Sequence, residues 1–298
     1  MIKPTLIEFA SKEYPDQLRN ISNPPSRLYA LGNTKILNEI GIAVVGSRTN
    51  TQYGEKMCKK FVESLVEYNI NIISGLAYGI DSIAHKTCLK KFGKTIAVLP
   101  SGLENICKAT NKNLINNILE NDGVIISEYE NKTKATSSKF LERNRIVAGL
   151  GVGTLVVEAG YRSGTRVTAR FTIENNRQLF CIPSNLDNKK GKTTNELIQK
   201  GAKLVTCVED MFEDIYKNNS QIKFQKKASK KQNIYLDIPE ELIDVFKEID
   251  DIPKDINQIA KNTNLEIKEV NYKLTLLQLE GKIAELPGQR FIRNDENY

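Results

Sequence analysis

The residues of this sequence that could do chemistry are concentrated between Lys139 and Ala169. There a short β-branched run, Thr154–Val157, precedes a turn with Ser163 and Gly164, and Arg143 lies upstream. Small residues after a buried strand let backbone N–H groups point at an anion, and the N-terminus of the next helix adds its dipole. A nearby guanidinium group would complete the site because it matches two phosphate oxygens at once. This pattern predicts a phosphate site.

Similar turns follow other apolar runs of the sequence. Glycine permits positive φ in such turns, and a serine hydroxyl can donate to an anionic oxygen. The alternative for each turn is an ordinary strand–helix connection with a helix N-cap, which uses the same N–H groups. Because the pattern recurs, we favour anion binding, and the candidate residues are Gly46, Ser47, Arg48, Ser74, Gly75, Ser163, Gly164 and Thr165.

Two arginines and a phenylalanine precede the third turn, on a predicted helix over Phe140–Leu150. Arg143 and Arg145 are two residues apart and therefore lie on different faces of that helix. We expect Arg143 to reach the site and Arg145 to meet carboxylates or a second subunit. Phe140 shares the face of Arg143. We interpret Phe140 as a core residue. The alternative is that its ring is a stacking platform for an unpaired base, and such stacking would contribute ~1–3 kcal/mol of binding free energy per base.

Six apolar runs alternate with helix-period segments such as Tyr53–Tyr68 and Ile80–Lys91. Strands that alternate with helices indicate an α/β fold with a parallel sheet covered on both faces. Ligands of such sheets bind at the carboxyl ends of the strands, where the candidate turns fall. We expect this domain over residues 1–216, with an N-terminal segment over 1–40 in which Ser26–Leu31 could be a short strand. The six predicted strands are 42–45, 70–73, 95–99, 124–126, 155–157 and 179–182.

Charge and composition narrow the function. The 298 residues carry a net charge of +7, of which residues 1–220 contribute +8 and residues 233–298 contribute −6. Nucleic acid, if bound, is therefore expected on the N-terminal region. The five cysteines form no C-x-x-C pair, as is typical of reduced thiols in a cytoplasmic protein. No signal segment or apolar run of ~18 residues is present, so we expect a soluble chain without a membrane span.

Catalytic and metal constellations are not evident in the sequence. His85 is the only histidine, and it follows Asp81 by four residues on a predicted helix, so the two could pair. One histidine with scattered cysteines makes no metal site, and no nucleophile–histidine–acid set is visible. We therefore expect neither an enzyme nor a bound cofactor or metal.

The last part of the chain differs from the rest. Residues 217–233 carry six lysines, five of them within 221–232, with little periodicity, and are predicted to be an exposed linker. Three helices and a hairpin, Ile283–Ile292, then predict a small winged-helix domain over 234–298. The charges of Glu266–Leu279 are balanced, which favours a protein partner or a regulatory role over duplex DNA. The predicted helices are Glu240–Ile249, Ile256–Lys261 and Ile267–Leu279.

Residues 10–210 resemble the DNA-processing protein A (DprA/Smf) family. The order and spacing of the matching motifs are specific. They are Val45–Arg48, Ser74–Asp81 with Ala84 and His85, Thr95–Leu99, Ile126–Glu128, Phe140–Arg145, Glu158 and Ala159, Ser163–Thr165, Asn195–Ile198, and Gly201 with Ala202. Many members have Tyr-Pro where this chain has Cys107–Thr110.

The resemblance implies an extended Rossmann-like fold in a protein that is often a homodimer. It also implies a protein that binds single-stranded DNA, protects incoming strands and loads the RecA recombinase during natural transformation. By motif, Arg48 and the loops at Ser47, Ser74 and Ser163 would hold phosphates. Lys139, Phe140 and Arg143 would lie beside them.

A second hypothesis is an enzyme that acts on small nucleotides. Gly151–Glu158 is similar to the Gly-Gly-x-Gly-Thr-x-x-Glu signature of the lysine-decarboxylase-like phosphoribohydrolases, with Leu150 in place of the first glycine. There, Glu158 near Arg143 would stabilise the positive charge that builds on the ribose of a nucleoside monophosphate as its base leaves. We prefer the non-enzymatic binder of single strands.

Overall fold

The computed structural model describes residues 4–104, 111–161, 163–218, 222, 224, 226, 238–250 and 253–294. The chain separates into two compact units, Met1–Lys227 and Ala228–Tyr298. Within the described ranges no helix is both long and apolar enough to cross a lipid bilayer.

One nine-stranded sheet forms the centre of the first unit. Its strands are β1 (Thr5–Glu8), β2 (Arg27–Gly32), β3 (Gly41–Val45), β4 (Asn71–Ser74), β5 (Thr95–Val98), β6 (Val124–Ser127), β7 (Gly153–Val156), β8 (Gln178–Cys181) and β9 (Lys203–Leu204). Across the sheet they lie in the order β1-β2-β6-β5-β4-β3-β7-β8-β9. Strands β3 to β9 pair in parallel, and β1 and β2 pair antiparallel at one edge.

Helices cover both faces of this sheet. Each residue of β3 to β7 is buried, and successive side chains point to opposite faces. Val44 packs in one apolar cluster with Phe61, whereas Val45 packs in another with Ile146. The described helices of this unit are α1 (Asp16–Arg19), α2 (Gln52–Glu67), α3 (Ile80–Lys90), α4 (Lys112–Glu120), α5 (Ser137–Leu150), α6 (Thr165–Glu174), α7 (Lys192–Gln199) and α8 (Val208–Asn218).

The six apolar runs are confirmed as strands β3 to β8, and the extended Rossmann-like fold is confirmed. The possible short strand Ser26–Leu31 of the N-terminal segment is confirmed as β2, and β1 is a further strand that the sequence did not reveal. Both pair antiparallel, so the sheet is mostly rather than wholly parallel. Along β2, Leu28 and Ala30 are buried, whereas Arg27, Tyr29 and Leu31 are more exposed. Such alternation is typical of an antiparallel strand with one covered face.

The strand order reverses beside β3. The chain proceeds from β3 through β4 and β5 to β6 on one side, then returns along α5 to place β7 on the other side of β3. Loops that leave the carboxyl ends of β3 and β7 therefore diverge to opposite faces. In open α/β sheets this divergence creates the crevice where ligands bind.

The second unit has its own apolar core, which includes Val245, Phe246, Leu274 and Phe291. It contains the predicted helices and the predicted hairpin, together with a short strand that the sequence did not reveal. Its elements are a 3-10 helix (Glu240–Leu242), α9 (Ile243–Glu248), β10 (Lys254–Asp255), α10 (Ile256–Thr263), α11 (Ile267–Leu279), β11 (Ile283–Leu286) and β12 (Arg290–Arg293). The three strands form one sheet in the order β10-β12-β11.

Most of the predicted linker, and the first residues of the predicted winged-helix domain, lie outside the described residues. Three described residues of that stretch contact the rest of the first unit. Ile222 and Phe224 pack on the first unit, and Lys226 pairs with Glu67 at 2.8 Å. This part of the stretch is therefore attached to the first unit. The Cys107–Thr110 difference also lies outside the described residues.

Candidate nucleic-acid interface

A cleft of about 430 Å³ lies above the carboxyl ends of β3, β4 and β7. Nine of the eleven candidate residues line it, although they come from four separate parts of the chain. They are Gly46, Ser47, Arg48, Gly75, Phe140, Arg143, Ser163, Gly164 and Thr165. The structure thus brings together residues that the sequence grouped only by type.

Arg48 is the exposed cation of the cleft. Its Cζ lies 5.0 Å from the centre of the Phe140 ring, within the range of a cation–π contact. Among the described residues, no carboxylate forms an ion pair with Arg48. Its charge is therefore available to an anion in the cleft.

Phe140 lies in the cleft and is half-buried rather than part of the core. The interpretation of Phe140 as a core residue is therefore wrong. Helix α5 begins at Ser137, with Thr136 as its N-cap, so Phe140 is in the first turn and projects from the end of the helix. The core contacts of this helix begin later, at Ile146 and Val147.

Arg143 is 3 % exposed and reaches the cleft from below. Its Nη1 donates to the carbonyl of Gly75 at 2.7 Å and also to the carbonyl of Val98. Burial lowers the pKa of Arg143 to about 10, and the nearby charge of Arg48 acts in the same direction, so the group stays charged at neutral pH. A buried arginine held by two carbonyls is a fixed positive charge under the cleft.

Asp81 accompanies this arginine at the floor of the cleft and is 7 % exposed. Its Oδ2 accepts from the N–H of Ala77 at 3.4 Å. Burial raises the pKa of Asp81, and the charge of Arg143 opposes that rise. Both side chains border Gly75, where a β-carbon would lie 2.5 Å from Nη2 of Arg143 and 2.8 Å from Oδ2 of Asp81. Only glycine fits between them without a shift.

The loop after β3 is fixed by backbone contacts. The N–H of Ser47 donates to the carbonyl of Glu158 at 2.7 Å, and the Ser47 carbonyl accepts from the N–H of Ile80 at 3.1 Å. The Ser47 hydroxyl oxygen accepts from the N–H of Thr49 at 3.2 Å. At Gly79, where φ is +75°, a β-carbon would meet the Ser47 carbonyl at 2.2 Å, so a glycine is required there.

The loop after β7 is joined to the loop after β3 by hydroxyl groups. The Ser163 hydroxyl donates to Oγ1 of Thr165 at 2.9 Å, and that hydroxyl donates to the carbonyl of Gly46 at 3.2 Å. The Ser163 oxygen also accepts from the N–H of Thr165, the first residue of α6, at 3.2 Å. Gly164 is exposed, and a β-carbon there would have no described atom within 4 Å. Its backbone is open to a phosphate.

Ser74 and Lys139 lie outside the cleft. Ser74 is fully buried, and its hydroxyl donates to the carbonyl of Val44 at 2.6 Å, which ties β4 to β3. We therefore leave the Ser74 side chain out of the proposed contacts. Lys139 is one turn before Arg143 on α5, and its Nζ lies 5.6 Å from the centre of the Tyr129 ring. It borders the cleft rather than lining it.

Several lining residues were missed by the sequence reasoning, among them Thr49, Asn144, Tyr161 and Lys190. Lys190 reaches across the cleft and donates to Oγ1 of Thr49. The signal for Tyr161 was its place between a strand end and the Ser163 turn. Lys190 follows no strand directly, so its position depends on how the loop after β8 folds back.

Two predictions about neighbouring charges have opposite outcomes. Arg145 pairs with Glu128 on the other side of α5, which confirms that it meets a carboxylate. The pairing of His85 with Asp81 is wrong. His85 is fully buried, and its Nδ1 bonds to Oγ1 of Thr95 at 2.7 Å, because the ring points to β5. In the described ranges, no group of three or more His, Cys, Asp or Glu side chains could hold a metal ion.

Glu158 does not face the cleft. Its carboxylate accepts from the N–H and the hydroxyl of Thr51, both at 2.8 Å, and from Nδ2 of Asn188 at 3.2 Å. It is 1 % exposed, so it secures the N-terminus of α2 instead of meeting a ligand. The glycines of the phosphoribohydrolase-like signature, Gly151 and Gly153, lie at the start of β7, and the cleft lies at the other end of this strand.

Comparison with known proteins agrees with the fold and with the sequence motifs. The family model for DNA recombination-mediator protein A matches residues 5–216. The Smf protein of Escherichia coli K12 is 40 % identical over 210 residues, which span 70 % of this chain and 56 % of that protein. The DNA processing protein DprA of Bacillus subtilis is 34 % identical over 216 residues, or 72 % of each chain. This chain thus covers just over half the length of the Escherichia coli relative.

Solved structures show the same architecture. The DNA processing protein A of Streptococcus pneumoniae is 37 % identical and superposes with a TM-score of 0.67 over 71 % of this chain and 74 % of that chain. DNA processing protein A of Helicobacter pylori, whose structure is described for its single-stranded DNA binding mode, is 30 % identical with a TM-score of 0.64, over 73 % of this chain and 97 % of that chain. The resemblance seen in the motifs is thereby confirmed, and the chain belongs to the DNA recombination-mediator protein A family.

Proposed function

We propose that this chain binds single-stranded DNA in the cleft, with contacts that are largely independent of base sequence. The observation that carries the proposal is the position of Arg48, an exposed guanidinium without a described carboxylate partner, 5.0 Å from the ring of Phe140. A phosphate can meet the guanidinium while the adjacent base stacks on the ring. The open backbone at Gly164 and the loops at Ser47 and Ser163 supply further places for phosphate oxygens.

The charge of the cleft supports this proposal. Of the described residues that line it, Arg48, Arg143 and Lys190 are cationic, and Asp81 is the acidic one. Asp81 lies at the floor beside the buried Arg143, so the positive charges dominate the open side. Residues 1–220 carry +8 in total. Affinity should fall steeply with salt because each neutralised phosphate releases counterions.

The relatives support the biological setting. The family is that of a recombination mediator, and the Helicobacter pylori relative is described as binding single-stranded DNA. We propose that this protein protects incoming strands in the cytoplasm and loads the RecA recombinase on them during natural transformation, as a homodimer. Mediation is a binding role, and the family supports a non-enzymatic protein. The second unit is proposed to be a winged-helix domain for a protein partner.

Fluorescence anisotropy with labelled single strands of several sequences tests the DNA proposal. Arg48→Ala should weaken binding of every sequence about equally and reduce the magnitude of the salt slope by about 0.7, the value of one phosphate contact to a single strand. Arg170→Ala is the matched control, because Arg170 is exposed on α6, pairs with Glu174 at 3.3 Å and does not line the cleft. Unchanged affinity of Arg48→Ala would contradict the proposal.

The RecA role needs a separate test. The ATP hydrolysis of RecA reports the assembly of its filament on single strands. Assembly should start faster in the presence of the wild-type protein. Arg48→Ala should lose this effect in proportion to its loss of DNA affinity. If wild-type protein binds the strands but leaves the rate of assembly unchanged, the DNA-binding proposal stands and RecA loading does not.

A further inference from the structure

We infer that Tyr161 is a second stacking platform, for the base of a nucleotide next to the one that meets Phe140. The inference rests on the proposed binding of single-stranded DNA and deepens it. It adds a base contact to a cleft whose other proposed contacts are mainly to phosphates.

Tyr161 lines the cleft from a different element of the fold than Phe140. It lies in the loop after β7, whereas Phe140 is on α5, and both line the same 430 Å³ space. The side chain of Tyr161 is 64 % exposed, so a large part of the ring faces solvent. An aromatic ring at the wall of a cationic cleft offers a surface on which any base can stack, since every base has a π face.

Cations accompany this ring as they accompany Phe140. Nζ of Lys192 lies 5.6 Å from the centre of the Tyr161 ring, comparable with the 5.0 Å between Arg48 and Phe140. Lys190 lines the cleft nearby. Neither lysine forms an ion pair with a carboxylate among the residues that the structure describes. A base on Tyr161 would therefore have amines close to its flanking phosphates.

Two rings that line one cleft, each with a cation close to it, suit two nucleotides of one strand. Stacking supplies contacts that do not depend on sequence, and the cations meet the backbone between the bases. The competing explanation is that Tyr161 only covers the stem of Lys192 at the surface. The two explanations predict different affinities for a DNA strand that lacks its bases.

The test compares oligothymidylate with an abasic strand of the same length, for wild type, Tyr161→Ala and Tyr161→Phe. Tyr161→Ala should bind oligothymidylate about 5- to 150-fold more weakly, which corresponds to the ~1–3 kcal/mol of one stacked base. The salt slope should not change, because no charge is lost. The abasic strand should bind to wild type and Tyr161→Ala equally, and Tyr161→Phe should behave as wild type.

Equal loss on both strands, loss in Tyr161→Phe, or no loss in Tyr161→Ala would each overturn the inference. Arg48→Ala, measured alongside, separates this outcome from failure of the proposed function. If Arg48→Ala loses affinity while Tyr161→Ala does not, the function stands and the second platform is refuted. If wild type does not bind single strands at all, both are refuted. Thermal unfolding of each variant confirms that the exposed site can be changed without loss of the fold.

Discussion

Arg48 and Phe140 form one contact across the cleft, with the guanidinium carbon 5.0 Å from the ring centre. Arg143 approaches the same ring at 5.9 Å. Phe140 is thus flanked by an exposed arginine and by a buried one that is held by carbonyl groups. Because the ring contacts both charges, phosphate and base contacts should depend on each other.

This dependence predicts non-additive effects of substitution. Arg48→Ala and Phe140→Ala should each weaken binding of single-stranded DNA. The double variant should lose less than the sum, with a coupling of about 0.5–3 kcal/mol, as for residues in contact. Phe140→Leu is the control, because leucine keeps apolar bulk but lacks a π face, and it should bind nearly as weakly as Phe140→Ala. Strict additivity in anisotropy titrations would contradict a shared Arg48–Phe140 contact.

Gly75 should be intolerant of a side chain. In Gly75→Ala the new methyl group would meet the guanidinium of Arg143 at 2.5 Å and the carboxylate of Asp81 at 2.8 Å. We expect a loss of about 1–3 kcal/mol in the free energy of unfolding, the usual cost of overpacking, together with weaker DNA binding as Arg143 shifts. Urea unfolding and anisotropy measure the two effects.

Gly164→Ala is the matched control for stability. A methyl group there would meet no described atom within 4 Å, and φ of −58° suits alanine. Its free energy of unfolding should stay close to that of wild type, whereas its DNA affinity should fall if phosphate approaches the Gly164 backbone. A stable Gly75→Ala protein with full DNA affinity would show that Arg143 and Asp81 can adjust freely.

The sequence predicted the location of the site better than the direction of its side chains. The strand ends could be found because apolar runs and small residues alternate, and parallel strands must bring their carboxyl ends to one edge. Ser74 shows the limit of that reasoning. It is the last residue of β4, and only the three-dimensional pairing with β3 reveals that its hydroxyl turns to the Val44 carbonyl.

Contacts between distant segments explain the other errors. The burial of Phe140 depends on where α5 begins relative to the cleft, and less than two turns separate it from the core residue Ile146. The antiparallel direction of β2 depends on its pairing with β6, which is far along the chain, and β1 in turn pairs with β2. Lys190 reaches Thr49 only after the loop beyond β8 has folded. Periodicity and spacing within a segment carry no information on such pairings.

Glu158 provides a test of the enzymatic alternative. Its carboxylate accepts from Thr51 and Asn188, so Glu158→Gln places an amide N–H₂ against at least one donor. We expect a loss of about 1–3 kcal/mol in the free energy of unfolding, the cost of unsatisfied buried polar groups. We expect no release of adenine from AMP by wild type or variant, as followed by chromatography. Release by wild type that disappears in folded Glu158→Gln would restore the phosphoribohydrolase hypothesis.

His85 should make stability depend on pH. Burial, assisted by the charge of Arg143, lowers the pKa of His85 to about 3 from its ordinary value of 6.5. Between these values the unfolded chain takes up a proton that the folded chain does not. The free energy of unfolding should therefore fall as the pH falls below about 6.5, by up to ~1.4 kcal/mol per pH unit.

The comparison with His85→Gln isolates this contribution. Glutamine can still donate to Thr95 but does not titrate, and the raised pKa of Asp81 is common to both proteins. Urea unfolding at pH 7, 6 and 5 should show wild type losing more stability than the variant toward low pH. Parallel curves for the two proteins would mean that His85 is protonated in the folded state.

Removal of the second unit should leave DNA binding intact. Every described residue that lines the cleft belongs to Met1–Lys227, and the described apolar clusters of this unit include no residue of Ala228–Tyr298. A chain of residues 1–227 should therefore unfold cooperatively and bind single strands with the affinity and salt slope of the full chain. Residues 228–298 alone should not bind, because acidic residues outnumber basic ones there and Lys273 already pairs with Asp244 at 2.7 Å. If the folded 1–227 chain binds more weakly than the full chain at every salt concentration, part of the interface lies in the second unit, and the cleft alone does not account for DNA binding.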